Sequence, residues 1–313
     1  MRLVFCGTPQ FAVPTLRAVL AAGHRIQLVV TQPDRPRGRG MELASPPVKQ
    51  LALEQGLPVT QPEKIRDNLE FCAQLEAIQP DAILVVAYGR IIPPWMLSLP
   101  RYGNLNLHAS LLPKYRGAAP IQWAVAMGES VTGNTTMRID AGLDTGDILL
   151  QQPLAIGPAE TAAELSPRLA VQGAALMVET LRGLDAGTLA ATKQDSSAAT
   201  LAPILTREEG RINFSRTAGE IYNRWRGFQP WPGAYTEWQG KKFVAHGMAL
   251  TGQQSQTEPG TIRIAEGHLF VTCGEATVIE FTEVQLEGRR RMAAREFLRG
   301  VQKTDGLRLG GRE

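Results

Sequence analysis

The sequence holds 313 residues, 43% hydrophobic and 20% charged, with a formal net charge of +3. At roughly 150 residues per domain, that length suggests two domains with ample material for cores. No stretch approaches the ~18 apolar residues of a membrane span, and no long charge run appears.

The chain starts M-R-L-V-F-C-G-T-P. Its apolar run is too short for a signal peptide, stops at a Gly-Thr-Pro turn and reads as a buried strand over 2–6. A helical pattern over 11–22 sets Val13, Leu16, Val19 and Leu20 on one face, and Gly23 ends it. Residues 26–30 make a second strand. A Pro/Gly-rich loop follows over 31–48, T-Q-P-D-R-P-R-G-R-G-M-E-L-A-S-P-P-V, carrying Arg35, Arg37 and Arg39. Helical spacing through Phe71, Leu75 and Ile78 leads into a third strand over 81–87. Strands alternating with helices predict an α/β domain with a mostly parallel sheet, whose ligands sit beyond the carboxyl ends of the strands. The first turn, G-T-P-Q-F, lacks the G-x-G-x-x-G fingerprint, which argues against a nicotinamide dehydrogenase.

Residues 161–184 read as a long closing helix. Either Thr161 caps it with Glu164 in a capping box, or Ser166 caps it with Pro167 at the first helical position. The small, polar stretch after Gly187 reads as a linker. Beyond it, T-I-R-I-A, H-L-F-V-T and A-T-V-I-E-F-T are short alternating runs between Gly-containing turns, which predicts a small antiparallel, OB-like barrel. The expected organisation is a catalytic domain over 1–187, a linker over 188–204, a barrel domain over 205–303 and a frayed tail over 304–313. Residues 1–204 carry 17 basic and 17 acidic side chains, and residues 205–313 carry 16 and 13. A mildly basic second part fits a polyanionic partner, and an ordinary surface equally well. Cys6, Cys72 and Cys273 are odd in number, far apart and without a C-x-x-C pair. That argues against a disulfide framework or zinc site and for a reducing cytosol.

Two segments carry chemistry. Residues 103–117 read G-N-L-N-L-H-A-S-L-L-P-K-Y-R-G. On a strand, this alternation places Asn106 and His108 on one face while Leu105 and Leu107 pack behind. An amide donor beside an imidazole at a strand end suits oxyanion stabilisation; a histidine that merely satisfies a buried hydrogen bond is the plain alternative. Residues 140–147, D-A-G-L-D-T-G-D, fit three readings. One is an ordinary surface loop. Another is a calcium loop, for which the alternate-residue ligands and distal Glu are missing. The third sets Asp144 beside the histidine as a proton acceptor or orienting group.

Together the two segments resemble the signature of the folate-dependent formyltransferases. The resemblance implies a Rossmann-like catalytic half, catalytic roles for Asn106, His108 and Asp144, and folate binding at Ser110, Leu111, Leu112 and Pro113. It also implies 10-formyltetrahydrofolate as co-substrate, without a metal. An amine attacking a formyl carbon loads negative charge onto the carbonyl oxygen, and losing one hydrogen-bond donor to such an oxygen costs roughly 3–4 kcal/mol. The amine must be neutral; an α-amino group titrates near ~8, so modest help from Asp144 suffices.

Three segments bear on the acceptor. The 31–48 loop resembles that with which the tRNA-directed branch of the family engages the acceptor arm. Arg39 falls on that branch's important arginine, and Arg35 and Arg37 lie beside it; arginine grips phosphates and stacks on bases. Where two lysines commonly follow the branch's G-R-G, Met41 and Glu42 stand here. Residues 208–234, including P-W-P-G-A, resemble the start of that branch's C-terminal domain; Trp225, Phe228 and Trp231 in it read equally as core anchors. Residues 284–300 resemble its end, where Arg289, Arg290 and Arg291 fit either a phosphate backbone or a solvated face. The resemblance runs from Gly7 to Gly300 and implies methionyl-initiator tRNA as partner to a cytoplasmic monomer, with no membrane role. Two rival readings are a formyltransferase of a small amine, such as an amino sugar nucleotide, and a non-catalytic RNA-binding protein. The intact Asn106, His108 and Asp144 set stands against the latter.

Overall fold

The computed structural model describes residues 1–37, 42–300 and 307–310, with Arg37 and Glu42 described in backbone only. Two units emerge. One comprises Met1–Pro120, Val131–Ala155 and Glu164–Pro203; the other comprises Ile121–Ser130, Ile156–Ala163 and Ile204–Glu313.

The elements up to the long helix are β1 (Arg2–Gly7), α1 (Val13–Ala21), β2 (Arg25–Val30), β3 (Arg35–Arg37), β4 (Glu42–Ala44), α2 (Pro47–Glu54), β5 (Val59–Thr60), α3 (Leu69–Ile78), β6 (Ala82–Val86), α4 (Pro94–Leu97), β7 (Asn104–His108), α5 (Pro120–Ala126), β8 (Val131–Arg138), β9 (Ile148–Ala155) and α6 (Ala162–Asp185). Seven strands form one sheet in the order β5-β2-β1-β6-β7-β8-β9. The five from β5 to β7 are parallel, and β8 and β9 are antiparallel. Both faces are covered, as the unbroken apolar runs require. Leu3, Phe5, Leu84 and Val86 enter one core, while Val4, Cys6, Ile83 and Val85 enter the other.

Two local expectations change. The 31–48 segment is not all loop: β3 and β4 form a short antiparallel ribbon, and α2 starts at Pro47. A three-residue strand with Pro36 at its centre needs few ladder bonds, so no alternation announces it. Helix α6 starts at Ala162, which excludes the start at Ser166 and leaves Pro167 inside. Pro167 forgoes one bond to the carbonyl of Ala163.

The second unit continues with α7 (Ala218–Gly227), β10 (Tyr235–Trp238), β11 (Lys241–Gln254), β12 (Ile262–Ala265), β13 (His268–Thr272), β14 (Thr277–Leu286), β15 (Met292–Ala293) and α8 (Ala294–Arg299). Thr217 and Glu220 form a reciprocal capping box at the start of α7. The sheet runs β10-β11-β14-β13-β12, all antiparallel, with β15 added to β14. Register shifts along β11 bend it around a core of Trp238, Phe243, Phe281 and Phe297. Of the aromatic residues read as anchors, Phe228 is 1% exposed and Trp225 packs partly buried, but Trp231 is 54% exposed.

Residues 307–310 join the two edges of this sheet. Ile262 N donates to Leu307 O at 2.7 Å, Leu309 N to Gly260 O at 2.9 Å, and Gly310 N to Glu237 O on β10 at 3.1 Å. This closes the small barrel and corrects the expected frayed tail, of which 304–306 and 311–313 lie outside the described residues. The glycines suggest a loose end, but Leu309 is 4% exposed within the core. Leu309→Ala should therefore cost about 2–5 kcal/mol of stability, read as a lower denaturant midpoint of the barrel transition. An unchanged midpoint would show that the barrel does not need this segment.

Candidate active site

Strand β7 is fixed at both ends of its register. Asn104, 1% exposed, donates to Met96 O at 2.7 Å. Leu105 and Leu107 enter the core that includes Met177 and Leu181 of α6. Helix α6 comes close because Gly173 has no side chain; a Cβ there would stand 2.7 Å from Leu107 Cδ2. Asn106 and His108 consequently share the opposite face, as the alternation predicts.

Asn106 is half-buried, and its amide makes no hydrogen bond among the described residues. His108 is buried, and its Nε2 lies 2.9 Å from Tyr115 O. A carbonyl only accepts, so Nε2 carries the hydrogen and donates. Nδ1 faces Asp144 Oδ2 at 3.7 Å, within ion-pair range but beyond a hydrogen bond. Burial pushes the imidazole below its usual range, while the Asp144 charge and the bond to Tyr115 act the other way. The neutral ring thus keeps Nδ1 free to take a proton, with a carboxylate placed to stabilise the imidazolium.

Asp144 lies in the turn between β8 and β9, in the left-handed region at φ 52°, which aspartate tolerates better than most residues. The neighbouring Asp140 builds that turn: its Oδ1 accepts from Gly142 N at 3.0 Å and Thr145 Oγ1 at 2.7 Å. The Asp144 carboxylate accepts from Gly117 N at 2.8 Å. Gly117 has φ 123°, and a Cβ there would stand 2.6 Å from Ala202 O, so only glycine fits.

Of residues 188–204, read from sequence as a linker, 188–203 belong to the first unit and strap this loop. Tyr115 N donates to Thr200 Oγ1 at 2.9 Å, Arg116 N to Thr200 O at 2.8 Å, and Ala202 N to Arg116 O at 2.7 Å. Gln194 reaches the Asp144 turn itself. A run of small polar residues carries no periodicity that would reveal such partners.

The expected folate segment is bound tightly to β8. Thr135 Oγ1 donates to Ser110 O at 2.6 Å and accepts from Leu112 N at 3.1 Å and Gln151 Nε2 at 2.9 Å. Ser110 Oγ donates to Lys114 O at 2.6 Å. Ser110 and Leu112 are buried, while Leu111 and Pro113 are half-buried. Beyond the carboxyl ends of β1, β2 and β6 lies a cavity of about 490 Å³ lined by Thr8, Gln32, Arg35, Pro36 and Tyr88, among others.

The other arginines fall differently. Arg35 is exposed on β3, the Arg37 side chain lies outside the described residues, and Arg39 and Met41 lie outside them altogether. Arg290 pairs with Glu296 at 2.5 Å and Arg291 pairs with Glu283, whereas Arg289 makes no ion pair among the described residues. Among the described residues, no three His, Cys, Asp or Glu side chains gather where they could hold a metal ion, and no helix is long and apolar enough to cross a membrane.

The family described as Formyl transferase matches residues 1–181, and the formyl transferase C-terminal domain matches residues 204–302. The chain belongs to the formyl transferase family. A methionyl-tRNA formyltransferase of Acidobacterium capsulatum is 67% identical over 99% of this chain and 100% of its own length. One of Koribacter versatilis is 59% identical, covering 99% of each chain. An N-formyltransferase of Helicobacter canadensis, solved with folinic acid and dTDP-3-aminofucose, shares the fold. Its TM-score is 0.66 over 89% of this chain and 98% of its own, at 20% identity.

For a formyl transferase that keeps its histidine neutral by burial, acid is a stress. The folded His108 takes its proton at lower pH than the unfolded ring, so between the two values the unfolded state binds more protons. The stability linked to His108 is full above the unfolded value near ~6.5 and is lost as pH falls from there toward the folded value. Between about pH 7 and 5, the wild type should lose Tm more steeply than His108→Gln. Parallel curves would show that His108 does not titrate this way.

Proposed function

We propose that this formyl transferase moves the formyl group of 10-formyltetrahydrofolate onto the free amino group of methionyl-initiator tRNA, giving N-formylmethionyl-tRNA for translation initiation. The observation that carries this reading is the full-length likeness to methionyl-tRNA formyltransferases, second domain included. The site supplies the chemistry. The uncommitted Asn106 amide is a hydrogen-bond donor for the formyl oxygen as it gains negative charge. His108 Nδ1 takes the proton that the attacking amine loses, and Asp144 stabilises the resulting cation. That proton must end on the folate nitrogen as its bond to the formyl carbon breaks, so one group that can hold it and return it is enough. Ser110, Leu111, Leu112 and Pro113 form the wall for the folate, rigid because Thr135 and Gln151 tie their backbone to the sheet.

For the acceptor, Arg35 lines the cavity, and arginine, here Arg35, Arg37 and Arg39 in one segment of sequence, is a residue type that suits a phosphate backbone. That cavity opens beyond β6, which pairs with catalytic β7, and its size suits the aminoacylated end of a larger molecule. Among the described residues, Arg289 is the member of the 289–291 trio without an ion pair, which leaves it for phosphate. The domains of this reading are a catalytic part over 1–187 joined through 188–204 to a tRNA-binding barrel over 205–303. The reaction is assigned to the cytoplasm and to a monomer.

His108→Ala and Asp144→Asn should each cut kcat by roughly a hundredfold or more with the fold intact; near-normal turnover would remove them from the site. Arg39→Ala should raise KM for charged initiator tRNA and leave folate binding unchanged. Unaltered tRNA kinetics would take the loop out of the reading. Offering charged initiator tRNA, charged elongator tRNA and small amines side by side tests the acceptor, and preference for a small amine would overturn it.

A further inference from the structure

We propose that Gln194 is a positioning residue for formyl transfer: its side-chain amide, gripped by Arg116, holds the Asp144 turn at the setting in which the carboxylate faces His108. This rests on the reading of Asp144 as part of the catalytic set.

Gln194 is fully committed. Its Nε2 donates to Asp144 O at 2.8 Å and to Gly146 O at 2.7 Å, so both amide hydrogens hold carbonyls of the same turn. Its Oε1 accepts from Arg116 Nε at 3.1 Å and Arg116 Nη2 at 2.7 Å. These partners fix which way round the amide lies, because a guanidinium only donates and a carbonyl only accepts. Arg116 is 8% exposed and forms no ion pair among the described residues. A buried cation thus directs its charge at a neutral amide. That polarises the amide and strengthens its two N–H donations.

The geometry explains why the turn needs this grip. Asp144 sits at φ 52°, a left-handed setting that a non-glycine residue holds only with support from its surroundings. Arg116 and Gly117 are adjacent, and they hold the same residue from two sides: Gly117 by the carboxylate, Arg116 by way of Gln194 at the backbone. The 3.7 Å between Asp144 Oδ2 and His108 Nδ1 depends on the tilt of that turn. A displacement of about 1 Å at such a site can cost 10²-fold in rate.

The test uses the full chain with charged initiator tRNA and 10-formyltetrahydrofolate. It compares Gln194→Ala, Gln194→Glu, Asp144→Asn and the double variant Gln194→Ala with Asp144→Asn. Gln194→Ala should lower kcat roughly 10–100-fold with both KM values within about threefold. In the Asp144→Asn background the same change should cost less than about threefold, because the residue it acts through is already disabled. Gln194→Glu gives Arg116 a carboxylate but removes both donors to the turn. With an oxygen set against both turn carbonyls, it should lose kcat at least as far as Gln194→Ala while both KM values stay within about threefold, a kcat-only loss that a merely structural role would not produce. If Asp144→Asn is crippled but Gln194→Glu and Gln194→Ala turn over normally, or if the losses multiply in the double variant, the positioning role is wrong. If Asp144→Asn itself is near normal, the catalytic reading fails and takes this inference with it.

Discussion

The amide nitrogen of Gly117 donates to the Asp144 carboxylate over 2.8 Å, and for that bond stretches of chain far apart in sequence must meet. The residue at 117 has to be glycine, since Ala202 O stands where a Cβ would be. The strap over 188–203 has to return to loop 113–119 to supply that neighbour. The β8–β9 turn enters the left-handed region at Asp144, whose side chain accepts from a backbone amide 27 residues away in sequence. Each segment is unremarkable alone. Their joint cost in chain entropy is offset by packing on a sheet covered on both faces.

Burial then does chemical as well as mechanical work. The face of β7 that carries Asn106 and His108 is set by leucines on its other side and by an α6 backbone brought close at Gly173. An imidazole sealed in this way resists protonation while the carboxylate beside it favours it, so the two effects oppose one another at a single ring. A group poised between them can accept a proton and release it within one turnover.

The parallel strands were legible because strands buried on both faces are written as apolar runs, V-F-C and A-I-L-V-V among them. The shared face of Asn106 and His108 was legible from alternation alone. The choice of Asp144 over Asp140 and Asp147 was not: any of three carboxylates in a Gly-rich turn reads alike, and only the resemblance singled one out. Gln194 was hidden for a different reason. Its partners are backbone carbonyls and an arginine reached across the fold, and such partners leave no local pattern. The β3–β4 ribbon is too short to alternate, and the closing segment at 307–310 looks loose because a glycine in the left-handed region, Gly310, marks turns and frayed ends alike.

Six of the twelve described arginines of the second unit have carboxylate partners: Arg211 with Glu237, Arg216 with Glu220, Arg224 with Glu209, Arg290 with Glu296, Arg291 with Glu283 and Arg308 with Glu258. Neutralising a polyanion with free cations liberates condensed counterions, which makes such binding fall steeply with salt. An arginine that must first leave a glutamate adds a competing step that salt itself weakens, since screening loosens the internal pair as well. For a surface built this way, the number of arginines overstates how sharply added salt drives off a nucleic acid.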